Sequence, residues 1–283
     1  MKKIILPTDF SENAYHALAY AAKLFKEETC TFYLMHTFTP AIYQTEYILH
    51  SPGQIGLGDF YQTDSDEHLS EMKKRAETEF KNAKHTYITH SAFNILVDEV
   101  LDMVKKEKAD LIIMGTQGAT GAKEIFLGTH TVHLVKKATC PVIAVPAIYN
   151  YKEPKEILFP TDYEVDFTQD HFSALFNITD LHESRIEVLH ISTGYELTEN
   201  QENNRKKLSG LIGERAHAFH DVPSQEIISG INNFQKTREV QILAMIQNKH
   251  TFLESLFIEP VIKKIGFHVT IPFMVIPDAV NVH

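Results

Sequence analysis

Cysteine is scarce: 283 residues contain only Cys30 and Cys140. Two cysteines build no disulfide framework and suit a reducing compartment, so a cytoplasmic location is expected. Each reads as a small buried hydrophobe, not a nucleophile. No apolar run is long enough to span a bilayer. The opening MKKIILPTDF meets Pro7 and Asp9 after three apolar residues, so it is not read as a signal peptide. Positive charge is in deficit, with 27 basic against 37 acidic residues and a net charge of −10 at pH 7. That argues against a general nucleic-acid or membrane-surface binder, so any anion site must draw on local backbone donors. No Ser-His-Asp or Cys-His arrangement can be argued from the sequence. What remains, 43% hydrophobic and 23% charged residues, is ordinary for a globular chain of one large or two average domains.

The most informative stretch is Gly115 to Thr131, GTQGATGAKEIFLGTHT. The apolar run Leu111 to Met114 stops at Gly115. A helical pattern begins after Gly128-Thr129, with Val132, Leu134 and Val135. The order is buried strand, glycine-bearing loop, helix N-terminus. Such a turn aims unpaired N–H groups and the helix dipole at one point, where an anion such as phosphate is the natural occupant. It is not a Walker A loop, because no Lys precedes Thr129. Its glycines also lack the dinucleotide fingerprint spacing.

The rest of the first half alternates strands and helices. Ile4 to Leu6, ended by Pro7, suits a strand buried on both faces. Ser11 is a plausible N-cap for a helix whose apolar face is Ala14, Ala17, Leu18, Ala21 and Phe25. Thr31 to Thr37 is a second strand. Phe38 to Asp64 reads as a long irregular segment, with Ile42, Tyr43, Tyr47, Ile48 and Leu49 too apolar for a bare linker. Glu67 to Phe80 reads as a polar helix, His85 to His90 as a third strand, and Phe93 to Val104 as a helix closed by Lys105, Lys106 and Lys108. Pro141 to Pro146 is a fifth strand. Alternation of this kind implies a parallel sheet covered on both faces.

Then the pattern restarts. Ile157-Leu158-Phe159-Pro160-Thr161-Asp162-Tyr163 echoes Ile4-Ile5-Leu6-Pro7-Thr8-Asp9-Phe10. Val188 to Ile191 echoes Leu34 to Thr37, with His190 at the place of His36. Ile271 to Pro277 echoes Cys140 to Pro146. The chain is an internal duplication. In the second copy a helix is expected from Asn200 to His220, another near Ile231 to Thr237, and a strand from Val240 to Met245. Its glycine loop is gone: Ser255 stands opposite Gly128, and Leu256, Phe257 and Glu259 fill the place of a phosphate. A carboxylate there would repel one. His217 and His220, at i and i+3 on the expected helix with Asp221 next, could hold zinc, but no second cluster at ligand spacing joins them. Lys123 could reach a phosphate from the loop, although such lysines are usually solvated.

These residues resemble the universal stress protein family in its tandem two-domain form. The likeness is carried by ILPTDFSENA at the start, by the signature G-x2-G-x9-G-[ST] at Gly115, Gly118, Gly128 and Thr129, and by the closing CPVIAVP. The resemblance implies an α/β fold with two tandem domains. Each would be a doubly wound, mostly parallel five-stranded sheet flanked by helices, of the adenine-nucleotide alpha-hydrolase-like type, packed as a pseudo-dimer. The expected division is 1–147 with the complete signature, 148–155 as linker, and 156–283 degenerate. Members with that signature bind ATP. The implied site comprises Pro7, Thr8, Asp9, His36, Thr37, Met114, Gly115, Gly118, Gly128, Thr129, His130 and Thr131. Asp9 would contact the adenosine end, the backbone at His36 and Thr37 the adenine, and Gly128 to His130 the phosphates.

ATP, with or without Mg²⁺, is therefore the expected ligand, with no dedicated metal site and no catalytic residue. Hydrolysis is expected to be slow at most, since neither a general base nor a carboxylate pair for Mg²⁺ is evident. The nucleotide would act as a stress-response signal or conformational switch read by a regulatory protein partner, with the second domain structural and further pairing into a homodimer left open. The alternative is a stress protein that binds a protein or an apolar ligand and keeps a relic glycine loop. An ATP-dependent enzyme would need an acid–base pair on the phosphates, and none is found.

Overall fold

The structure is a computed structural model that describes residues 1–39, 57–116, 127–192, 194, 196–223, 226–247 and 270–278. The first half runs β1 (Lys2–Pro7), α1 (Glu12–Leu24), β2 (Cys30–Phe38), α2 (Leu57–Glu79), β3 (His85–Phe93), α3 (Leu96–Glu107), β4 (Leu111–Gly115), α4 (Thr129–Lys137) and β5 (Val142–Val145). The second runs β6 (Glu156–Pro160), α5 (Gln169–His182), β7 (Arg185–Ser192), α6 (Glu199–Ile212), β8 (His217–Pro223), α7 (Ile227–Thr237), β9 (Ile242–Gln247) and β10 (Phe273–Pro277).

The described strands form one ten-stranded sheet in the order β3-β2-β1-β4-β5-β10-β9-β6-β7-β8. Every pairing within a half is parallel. The halves meet at the antiparallel pair β5–β10, where Met274 faces Ile143. The apolar runs have a direct cause: Ile4 packs into the core on one face and Ile5 into the core on the other, so a strand with covers on both sides has no polar face. One layer is α1, α2, α5 and α6, the other α3, α4 and α7, and each core draws residues from both halves.

The Pro-Thr-Asp-aromatic segment builds the same turn twice. Phe10 (φ 63°) and Tyr163 (φ 58°) are left-handed. Phe10 N donates to Thr8 Oγ1 at 2.9 Å, and Tyr163 N to Thr161 Oγ1 at 3.0 Å. Ser11 N donates to Asp9 Oδ1 at 3.1 Å, and Glu164 N to Asp162 Oδ1 at 3.1 Å. Short polar side chains thus hold a turn that backbone preference alone would not. Ser11 caps α1 as expected, accepting from Ala14 N.

Three expectations are corrected. Helix α2 begins at Leu57, not Glu67, so the irregular segment ends sooner; its Pro40–Gly56 part lies outside the described residues. The helix from Asn200 to His220 stops at Ile212, and Gly213 (φ 63°) turns the chain into β8. His217 and His220 are therefore strand residues three apart, on opposite faces. His217 Nδ1 lies 2.7 Å from the Arg215 carbonyl and His220 meets Glu187, so the zinc pairing fails.

Candidate functional site

In the first half β1 lies between β2 and β4, and the chain leaves it in opposite directions. The carboxyl ends of β1 and β4 are the topological switch point, where doubly wound sheets open a crevice. The Pro7-Thr8-Asp9 turn closes β1, and Thr8 N donates to the Met35 carbonyl at 2.8 Å. That sets His36 and Thr37, at the end of β2, beside the turn. Met114 and Gly115 end β4 on the other side. Asp9 is exposed, Met114 buried, and His36 and Thr37 half-buried.

Helix α4 is tied to the end of β4 by two bonds. Gly128 N donates to the Thr116 carbonyl at 2.5 Å, and the buried Thr131 hydroxyl donates to the Gly115 carbonyl at 3.2 Å. The N-cap is Gly128, which has no side chain to satisfy the first-turn N–H groups. Thr129 and His130, in that turn, are exposed. The helix therefore sets the positive end of its dipole at the end of β4, beside the crevice. The structure thus brings eleven of the implied residues to the ends of three adjacent strands and one helix. Gly118, like Gly121 and Lys123, lies outside the described residues.

Several neighbours were not singled out from sequence. His36 Nδ1 lies 2.8 Å from Ser65 Oγ, which lies 2.6 Å from Ser91 Oγ. The Phe10 ring sits 4.4 Å from that of His36 and 5.0 Å from that of His68. Burial holds the His36 imidazole below its usual pKa, against the nearby carboxylates of Asp64 and Asp9. Ser65 and His68 come from α2, whose start was misplaced. Asn13, in the first turn of α1, lies against Gly115: a Cβ on that glycine would be 2.7 Å from Asn13 Nδ2.

The second half supplies an internal comparison. His190 recurs at the end of β7, with Nδ1 3.1 Å from Asp221 Oδ1 and its ring 5.4 Å from that of Tyr163. Here α6 is fastened over the turn. Gln201 Nε2 donates to the Asp162 carbonyl at 2.9 Å, and Asn204 Nδ2 to the Tyr163 carbonyl at 2.8 Å. Tyr163 is 0% exposed where Phe10 is half-buried, and burial raises the Asp162 carboxyl above its usual value. Asp9 and Phe10 are thus more exposed than Asp162 and Tyr163, over which α6 is fastened. Ser255, Leu256, Phe257 and Glu259 lie outside the described residues. Among the described residues no group of three His, Cys, Asp or Glu could hold a metal ion, and no helix is long and apolar enough to cross a membrane.

Comparison with known proteins agrees with this architecture. The universal stress protein family profile matches residues 1–146. The chain is 31% identical over 156 residues to universal stress protein MJ0531 of Methanocaldococcus jannaschii, a match that covers 55% of this chain and 84% of that protein. It is 31% identical over 154 residues to MJ0577 of the same organism, covering 51% and 94%. The crystal structure of a universal stress protein from Archaeoglobus fulgidus superposes with a TM-score of 0.64 over 97% of this chain and 98% of that one, at 15% identity. That likeness extends the fold, though not the site, over the full length. The chain belongs to the universal stress protein family.

Proposed function

We propose that the crevice over β1, β2 and β4 binds ATP, and that occupancy serves as a stress-response signal or conformational switch in the cytoplasm. The observation that carries this reading is the α4 N-terminus. Gly128 N–H and the Thr131 hydroxyl fasten it to the Thr116 and Gly115 carbonyls at the switch point of the sheet. Since Gly128 N–H is taken by the Thr116 carbonyl, a triphosphate there would meet the N–H groups of Thr129 and His130 and the helix dipole, which suits a chain of net charge −10. Asp9, exposed at the mouth, would contact the ribose, and the backbone at His36 and Thr37 the base. Residues 1–147 form the nucleotide half and 148–155 the connection, and 156–283 act as structural partner with no nucleotide of their own. Any hydrolysis is slow.

The test is calorimetric titration of the intact chain and of Gly128→Glu with ATP, ADP and AMP. The substitution sets a carboxylate against the phosphates and should weaken ATP by about a hundredfold or more, ~2.7 kcal/mol. The preference for ATP over AMP should vanish with it. An intact, folded chain that takes up no adenine nucleotide overturns the reading.

One observation favours a second reading. Phe60, Phe93 and Ile95 are large apolar side chains left exposed around α2 and the end of edge strand β3, a surface suited to a protein partner. If the glycine loop were a relic and this surface the function, Gly118→Val would leave function intact.

A further inference from the structure

The missing side chain of residue 115 is explained by its neighbour on α1. A Cβ at Gly115 would lie 2.7 Å from Asn13 Nδ2 and 3.0 Å from Asn13 Cγ, closer than nonbonded atoms approach. Asn13 reaches that place because α1 starts at once after the turn, with Ser11 as its cap. In the second half the cap Thr168 comes only after the further stretch Glu164 to Phe167. Strand register equates Gly115 with Ile246 there, a buried side chain. An early helix with a glycine opposite it is thus peculiar to the half with the open crevice.

We infer that Asn13 is a positioning residue of the nucleotide site, an inference that rests on the function proposed above. Its carboxamide fills the space a side chain at 115 would take, and braces the end of β4 against α1. That end of β4 holds the phosphate-binding turn: the Gly115 carbonyl accepts the Thr131 hydroxyl at 3.2 Å, and the Thr116 carbonyl accepts Gly128 N–H at 2.5 Å. A shift at Asn13 is handed to α4 through these two bonds. Asn13 Oδ1 is buried and its Nδ2 and Cγ lie at the backbone of Gly115, so the role assigned to it is on the end of β4.

A double-mutant cycle on the full chain tests this. The readouts are ATP titration, melting temperature and hydrogen exchange of the Val132 amide, which donates to the Gly128 carbonyl at 2.9 Å. Gly115→Ala displaces the carboxamide and should weaken ATP about tenfold, the effect of ~1.4 kcal/mol. Asn13→Ala should weaken it similarly and speed Val132 exchange. In the double variant the new methyl takes the space the carboxamide leaves, so affinity and protection should largely return. Additive losses in the double variant overturn the inference. So does an Asn13→Ala protein with unchanged affinity and unchanged Val132 exchange. If the intact chain binds no ATP, the nucleotide reading falls, yet melting and exchange of the four proteins still decide whether Asn13 braces α4. The two failures are therefore told apart.

Discussion

Glu187 is a carboxylate whose side chain is 0% exposed, on a central position of β7. Arg185 Nε lies 3.2 Å from its Oε1, Arg238 Nη1 lies 3.3 Å from the same oxygen, and His220 pairs with Oε2. The first half carries a related polar cluster at the matching positions. Strand register sets Lys3 at the place of Glu156 and Tyr33 at that of Glu187. Glu107, which accepts from the Tyr33 hydroxyl at 2.8 Å, ends α3 as Arg238 follows α7. Asp110, which accepts from Lys3 N, becomes Gln241, which accepts from Glu156 N at 2.8 Å. Two of the four matched positions therefore carry opposite charges in the two halves, while Tyr33 and Gln241 are neutral where Glu187 and Asp110 are acidic. Glu187 is buried while Arg185 and Arg238 stay nearly half exposed, so Glu187→Ala loses its charge-assisted hydrogen bonds without stranding the arginines and should cost about 2 kcal/mol in urea unfolding. A loss within about 0.5 kcal/mol, typical of surface sites, would mean that the cluster is solvated.

The two carboxyls of that cluster titrate in opposite senses. Burial and the hydrogen bond to Glu187 raise Glu156. Burial would raise Glu187 too, but its hydrogen bonds to Glu156 and His220 and the charge of Arg238 outweigh it and hold it low. Glu187 therefore stabilises the fold above the ordinary carboxylate range, and this is lost as pH falls through its folded value. Glu156 stabilises it below that range, and this is lost as pH rises through its raised value. Glu156→Gln should therefore raise the melting temperature at pH 7 relative to wild type and leave it little changed at pH 4. Equal effects at both pH values would remove the raised Glu156 carboxyl from the account.

Among the elements, those easily read from sequence were the ones whose burial leaves a mark. β4, β5, β10 and residues 4–7 of β1 are apolar because both faces are covered. α1 is legible from its alanine face and its serine cap. Ser11→Ala removes the oxygen that accepts Ala14 N at 3.1 Å and the hydroxyl that donates to Asp9 Oδ1 at 2.5 Å. It should cost about 1 kcal/mol, measured by thermal unfolding, and an unchanged stability would deny the cap. The elements missed have weak patterns. The first turn of α2 carries Gly58 and Asp59 between Leu57 and Phe60, straight after a Pro- and Gly-bearing stretch, and among its described side chains the buried apolar ones, Leu69, Met72 and Ala76, lie further on. β8 is a histidine-rich edge strand, easily taken for the continuation of α6, although Gly213 was a stop signal in plain view. The turns and the α4 N-terminus of the site were legible from short motifs. The contribution of α2, through Ser65 and His68, was not, because side-chain contacts across layers leave no local pattern.

At the scale of the molecule, the duplication yields one sheet and not two separate ones, joined at β5–β10. Further ties cross the join. His182 Nε2 lies 2.8 Å from the Leu24 carbonyl, and Gln247 Nε2 donates to the Lys136 carbonyl at 3.4 Å. Both core clusters run through the join, so the halves should unfold in a single transition, with circular dichroism and tyrosine fluorescence coincident in urea. Two separated transitions would show the halves to be energetically independent.

The central claim is that ATP is held over the first half and not over the second. Its most direct test is hydrogen exchange of the whole chain with and without saturating ATP. Protection should rise at the Asp9–Ser11 turn and at His130 to Val132, and stay unchanged at the matching turn, Asp162 to Glu164. Protection at the second turn, or no change at either, would contradict the account.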